Sequence, residues 1–168
     1  GCVAYSVQVE EAILKNFGEI FDCSVVESRT DDGVAKIAVQ KVIPATQAGR
    51  NCEVVAIASR DVGKARSAAA SLGIPKAYGS YDELLADPEV DAVYNPLPNH
   101  LHVPWSVKAA LAGKHVLCEK PVALDAKEAM KLLRARDRAG VLGAEAVMVR
   151  THPQWLGVKQ LIDDGRIG

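Results

Sequence analysis

From residue 51 onward the chain alternates short apolar runs with amphipathic stretches of helical length, and this alternation limits the fold more than any other feature. Glu53-Val-Val-Ala-Ile-Ala58 is a continuous apolar run of strand length, suited to a sheet covered on both faces. Asp61 is placed to cap a helix through about Ser71, which Gly73 and Pro75 terminate. Tyr81 to Leu85 predicts a short helix ended by Asp87-Pro88, and Val90 to Tyr94 predicts a strand. A helix from Leu101 to Ala112 stops at Gly113, and His115 to Cys118 is a strand. Asp125 then caps a helix to about Ala139, with Gly140 at its end. Val141 to Val149 predicts a further strand, interrupted by Gly143, and Pro153 to Asp164 a last helix closed by Gly165. Strands and helices alternating at this spacing build right-handed βαβ units, so the expected class is α/β with a doubly wound, mostly parallel sheet.

The 168 residues suffice to bury a real core, as one domain or one and a fragment. The 20 Lys and Arg nearly balance the 21 Asp and Glu, with both signs interspersed, which argues against nucleic acid or an anionic membrane as partner. No apolar run approaches the ~20 residues needed to span a bilayer. The start, Gly-Cys-Val-Ala-Tyr-Ser6, lacks the basic region and apolar core of a signal peptide and misses the myristoylation pattern at Tyr5. Cys2, Cys23, Cys52 and Cys118 form no C-x-x-C pair, so they read as reduced thiols of a cytoplasmic protein. Cys52 and Cys118 fall in predicted strands and read as small core residues.

Residues 1–32 form an atypical segment: Glu10 to Phe17 fits an amphipathic helix, Phe21 to Glu27 a strand and Thr30 to Gly33 a turn, without a motif. Gly33-Val-Ala-Lys-Ile-Ala38 fits the G-x-A-x-x-A form of the dinucleotide fingerprint and leads into a helix through Ala48 that contains Pro44. In that pattern Gly33 makes the tight turn. Ala35, Lys36 and Ile37 bring backbone amides to a pyrophosphate held at the helix N-terminus. Asp31-Asp32 stand just before the loop and repel such an anion, by ~1 kcal/mol each at about 4 Å even in bulk water. The competing reading makes Val34 to Val39 a strand, with no phosphate loop.

Three polar segments follow strand-like runs, at the edge where open parallel sheets bind ligands. The first holds Asn95, Pro96, Leu97, Asn99 and His100, whose tips can bond a ribose or line a nicotinamide pocket. The second is Glu119-Lys120-Pro121. The proline restricts Lys120 to extended geometry, and its ammonium can lie beside a cofactor ring and share a proton; Glu119 can pair with it or orient a ribose hydroxyl. The third runs from Glu145 to Trp155 and includes Arg150 and His152. His100 and His102 form a His-x-His pair, but no cysteine or carboxylate cluster accompanies it. No metal site is expected, and His102 reads as a capping or packing residue.

With these segments in place, residues 33–168 resemble the cofactor-binding half of the Gfo/Idh/MocA oxidoreductases, in the branch of xylose dehydrogenase and dihydrodiol dehydrogenase. The likeness is carried by the loop at Gly33, Lys41 to Ala45, Tyr94 to His102, Glu119-Lys120-Pro121 and Glu145 to Trp155. It implies a Rossmann-type domain over 33–168. It also implies hydride transfer on a small sugar or cyclic polyol, with Lys120 contacting nicotinamide ribose and substrate and assisting the proton. The ribose-reading position falls on Ser59, followed by Arg60, with Lys64 one turn on. Ser and Arg suit the 2′-phosphate of NADP, while Asp61 keeps NAD from being excluded. Arg150 and Trp155 fall where the family's chain crosses toward its substrate domain; Trp155 fits a place near the nicotinamide, a domain interface or the core equally well. The resemblance further implies an antiparallel C-terminal substrate domain that this chain lacks, and hence exposed apolar surface and self-association, including a homo-oligomer. Two readings follow: the coenzyme domain of an NADP-linked dehydrogenase, or a catalytically silent fragment that binds nucleotide weakly or only self-associates.

Overall fold

A computed structural model of the chain describes residues 42–48, 53–147 and 152–167. The loop at Gly33, Ala35, Lys36 and Ile37, the 1–32 segment, Cys52 and Arg150 lie outside the described residues. The elements run α1 (Ile43–Ala48), β1 (Ala56–Ala58), α2 (Val62–Leu72), β2 (Lys76–Tyr78), α3 (Tyr81–Ala86) and β3 (Ala92–Asn95). They continue with α4 (Asn99–Leu111), β4 (His115–Glu119), α5 (Ala126–Ala139), β5 (Gly143–Ala146) and α6 (Pro153–Asp163). Every described strand pairing is parallel: β1 with β2, and β3 with β4 with β5. A helix intervenes between each strand and the next, as expected of a wound α/β fold.

Local chemistry sets the helix boundaries. Asp61 Oδ1 accepts from the Gly63 and Lys64 amides at 2.8 and 3.1 Å, Ser80 Oγ from Glu83 at 3.2 Å, and Asp125 Oδ1 from Glu128 at 2.8 Å. Each such cap contributes about 1 kcal/mol by satisfying an otherwise orphaned amide. At the other ends Gly73 and Gly140 both sit at φ 67°, the left-handed conformation that a Cβ disfavours.

Val116 and Cys118, on one face of β4, pack with Leu85 and Ala109 into a core cluster that Val93, Trp105 and Val122 cover. Cys118 is fully buried, as its strand position predicts, and burial is the main reason its thiol is pushed up to about 11. Beside this core, Trp105 meets Tyr81 edge-on at 4.8 Å, which fastens α4 to α3, and the Lys108 ammonium of the same helix lies 4.2 Å above its ring.

Several boundaries differ from the sequence reading. β2 is absent from that reading because three residues between a helix-ending glycine and a capping serine carry no periodic signal. β1 occupies only the end of the Glu53–Ala58 run, β3 starts at Ala92 rather than Val90, and β5 covers Gly143–Ala146 rather than beginning at Val141. α4 begins at Asn99, two residues before the expected start, and accommodates Pro104 in its second turn.

Asp87 joins the two sheets away from the strand ends that carry the polar segments. Its Oδ2 accepts from Lys76 Nζ and from the Tyr78 hydroxyl, both at 2.8 Å, and its Oδ1 from the Glu89 amide at 2.9 Å. Its carbonyl accepts from Lys114 Nζ, just before β4, at 2.8 Å. The bond from Lys76, then those from the Glu89 amide and Tyr78, hold the Asp87 carboxyl down at about 2, against an ordinary 3.8. A depressed acid stabilises the fold fully above its unfolded value, and that contribution disappears as pH falls through the folded one. Asp87→Asn is therefore expected to lower the urea midpoint at neutral pH, with the gap to wild type closing between pH 3.8 and about 2. A gap independent of pH over that range contradicts the assignment.

Candidate functional site

The register Asn95↔Cys118↔Glu145 brings the ends of β3, β4 and β5 into line, so the loops that follow them leave the sheet at one edge. Partners in a parallel register share a face and neighbours along a strand alternate. Asn95, Cys118 and Glu145 therefore lie on the face covered by α4, with Tyr94 and Glu119 on the opposite face.

On the α4 face a polar network is buried. Asn95, 3% exposed, donates through Nδ2 to the Ser106 hydroxyl and to the His102 carbonyl, both at 3.0 Å. Its Oδ1 accepts from the Leu97 amide at 3.2 Å, which fixes the loop through Pro96 and Leu97. Asn95 thus serves as a scaffold for this loop, with its amide turned into the protein. Asn99 and His100 are exposed in the first turn of α4, because the helix begins before the Leu101 start expected for it. The His102 ring is buried, with Nδ1 2.7 Å from the Pro121 carbonyl and Nε2 2.5 Å from the Leu97 carbonyl. It packs, as expected, but does not cap α4, whose N-cap Pro98 makes no side-chain bond.

On the other face the Tyr94 hydroxyl donates to Glu119 Oε1 at 2.7 Å, and Glu119 Oε2 accepts from the Lys120 amide at 3.2 Å. Burial above all, then the neighbouring Glu119 charge, raises the Tyr94 phenol well above its ordinary value. Glu119 therefore pairs with a phenol, and the exposed Lys120 ammonium makes no ion pair with a described residue. The turn behind Lys120 is fixed from β5, where Glu145 Oε1 accepts from the Val122 amide at 2.8 Å. Glu145, which the sequence assigned only generally to this edge, is thus a positioning group for the turn. Tyr94, Glu145 and His102 owe these roles to strand register and helix packing, which one-dimensional spacing does not reveal.

At the end of β1, Ser59 is half-buried and its hydroxyl accepts from the Asp61 amide at 3.2 Å. Asp61 is engaged in capping α2, while Arg60 and Lys64 are exposed and make no ion pair with a described residue. Trp155 lies on α6 and is 51% exposed, which removes the core reading. His152, at the head of the same helix, caps it by accepting from the Gln154 amide at 3.2 Å. Among the described residues no group of three or more His, Cys, Asp or Glu side chains could hold a metal ion, and no helix is long and apolar enough to cross a membrane.

Removing the Tyr94 hydroxyl takes a buried donor from a carboxylate and leaves the ring in place. Tyr94→Phe is expected to lower unfolding stability by about 1.5–3 kcal/mol in urea titrations, the range for a hydrogen bond to a charged group. An unchanged midpoint and slope argue against the bond.

Comparison with known proteins agrees with the wound parallel fold. The profile of the family described as "Oxidoreductase family, NAD-binding Rossmann fold" (GFO_IDH_MocA) matches residues 33–147. The uncharacterized oxidoreductase ORF334 of Rhizobium meliloti is 59% identical over 136 residues, which cover 81% of this chain and 41% of that protein. A D-xylose 1-dehydrogenase (NADP(+)) of Haloferax volcanii is 53% identical over 121 residues, covering 72% of this chain and 37% of that one. Among solved structures, KijD10, a 3-ketoreductase from Actinomadura kijaniata in complex with NADP and TDP-benzene, superposes with a TM-score of 0.72 at 40% identity. That match covers 80% of this chain and 41% of KijD10. The chain thus spans about two fifths of the length of the curated relatives it matches.

Proposed function

The chain belongs to the Gfo/Idh/MocA oxidoreductase family with its NAD-binding Rossmann fold, and from that premise we propose that it is the coenzyme half of an NADP-linked oxidoreductase acting on a sugar or cyclic polyol. One observation carries the reading. The turn bearing Lys120 is fixed by Glu145, and Lys120 itself stands exposed just past the carboxyl end of β4, without an ion pair to a described residue, where wound parallel sheets receive ligands.

The residues at the end of β1 fit NADP. With Asp61 Oδ1 engaged by the cap, the exposed Arg60, beside the Ser59 hydroxyl, is suited to a forked bond with a 2′-phosphate, and Lys64 adds positive charge nearby. NAD, lacking that phosphate, forgoes these contacts and binds more weakly. The residues Gly33, Ala35, Lys36 and Ile37 carry the pyrophosphate in this reading, and the loop through Pro96 and Leu97, with Asn99 and His100 behind it, borders the nicotinamide. Glu119, held by Tyr94, offers its remaining lone pairs to a ribose hydroxyl. Arg150 and Trp155 belong to the crossing toward a substrate domain.

The chemistry supplied by such a coenzyme is a hydride at the nicotinamide ring. Lys120 contributes the accompanying proton at the substrate oxygen and, as a cation, steadies the charge that develops there. Residence in the cytoplasm accords with the free thiol of Cys118, and self-association accords with the exposed Trp155, Leu156 and Ile162 of α6; both belong to this proposal.

Titration of the chain with NADPH and NADH, followed by fluorescence, is expected to saturate with NADPH at micromolar levels and with NADH at roughly tenfold higher concentration. Arg60→Ala should erase most of that difference. No signal with either coenzyme at millimolar levels overturns the reading. In an enzyme completed by a substrate domain, Lys120→Ala should lower turnover by at least ~100-fold, the usual effect of losing a positioned proton donor. Unchanged turnover removes Lys120 from the mechanism.

A further inference from the structure

The loop after β3 and the turn after β4 come from different strands, yet one side chain binds both. His102, 1% exposed within α4, directs Nδ1 to the Pro121 carbonyl at 2.7 Å and Nε2 to the Leu97 carbonyl at 2.5 Å. Its own carbonyl accepts from Asn95 Nδ2, whose Oδ1 in turn holds the Leu97 amide. Leu97 is thus bound through both its amide and its carbonyl. The turn after β4 is likewise held at two successive residues, Pro121 by His102 and Val122 by Glu145. Lys120 sits immediately before this doubly held pair. Since its ammonium makes no ion pair with a described residue, its place is set by its backbone.

We propose that His102 is a positioning residue, a two-armed clamp that fixes the loop at Leu97 against the Lys120-Pro121 turn and so determines where Lys120 stands at the coenzyme site. That Lys120 belongs to such a site rests on the function proposed above; the clamp itself does not.

The chemistry distinguishes the clamp from a ring that merely fills space. Carbonyl oxygens accept and cannot donate, and a neutral imidazole has one N–H, so only a ring with protons on both nitrogens serves both carbonyls together. No neutral side chain of similar size replaces it. Asparagine reproduces the position of Nδ1 and retains the arm to Pro121, whereas glutamine reproduces Nε2 and retains the arm to Leu97. Each substitution cuts one arm.

The test is amide hydrogen exchange on the chain and its variants. His102→Gln should accelerate exchange at Val122 by roughly tenfold, the effect of losing one strong hydrogen bond, and leave Leu97 near wild type. His102→Asn should do the reverse. In both, Val116 and Leu117 inside β4 should keep their protection. Identical patterns in the two variants, or equal acceleration at Val116 and Leu117, overturn the clamp and leave His102 as core filler. Should either variant fail to fold, ring nitrogen resonances of the wild-type chain decide: protons on both nitrogens support the clamp, and a bare nitrogen overturns it.

The consequence for Lys120 is read with NADPH and with adenosine 2′,5′-bisphosphate, which carries only the adenine end of the coenzyme. His102→Gln should weaken NADPH by roughly tenfold and leave the bisphosphate unchanged. Equal weakening of both overturns a positioning role. Failure of the wild-type chain to bind NADPH overturns the coenzyme reading, and with it the role toward Lys120, while the exchange signature still decides whether His102 is a clamp.

Discussion

Backbone groups in the loops that leave β3 and β4 lie partly out of water, and each must find a partner within the protein. A buried polar group without one costs about 1–3 kcal/mol, a large share of the stability of a small domain. The chain meets this constraint with side chains: Asn95 accepts from the Leu97 amide, the His102 ring nitrogens face the Leu97 and Pro121 carbonyls, and Glu145 accepts from the Val122 amide. Among the described residues no buried side-chain nitrogen or oxygen lacks a partner. The loops after β3 and β4 are consequently tied to α4 and β5 by these contacts.

The other polar centre, at Asp87, solves a different problem. Lys76 and Tyr78 belong to β2, Lys114 introduces β4, and Asp87 itself ends α3; one carboxylate and one carbonyl draw them together. Each cation there is committed to an acceptor, as expected of a purely structural junction. At the carboxyl edge the acidic side chains Glu119 and Glu145 are engaged by neutral donors, and Lys120 stands without an ion pair to a described residue. The same residue types are thus wired for cohesion at one place and for availability at the other.

How much of this was legible depends on the range of the interaction. Asp61, Asp125, Gly73 and Gly140 mark helix ends because capping acts within three or four residues, and those boundaries were readable to within a residue or so. β2 was not, because its three residues owe their strand geometry to β1, which pairs with them across a whole helix. The start of α4 was misjudged because Pro98 offers no capping side chain, so nothing local marks Asn99 as helical. The place of Lys120, exposed just past the end of β4, was readable from the apolar strand before it and the proline after it. Tyr94 was not, since its bond to Glu119 exists only once β3 and β4 are in register. His102 was readable as a capping or packing residue and it packs, but its two neighbours were not, since only the folded chain brings the Leu97 and Pro121 carbonyls to its two ring nitrogens.

The pairing of Glu119 with Tyr94 bears on why Lys120 remains usable. Had Glu119 turned to its neighbour's ammonium, the charges would largely cancel, and a ligand oxygen approaching Lys120 would have to displace a carboxylate. At about 4 Å and an effective dielectric near 20, that attraction is of order 4 kcal/mol, enough to compete with any single contact a substrate oxygen makes. A neutral phenol at 2.7 Å satisfies one oxygen of Glu119, and the Lys120 amide at 3.2 Å the other, without using the cation. Because burial keeps the Tyr94 phenol protonated far above its ordinary range, it remains a donor throughout physiological pH. Lys120 therefore stands without an ion pair to a described residue, between its own amide, bound to Glu119, and the Pro121 carbonyl beside His102. A held stem and a head without an ion pair to a described residue are what the proton transfer proposed for Lys120 demands.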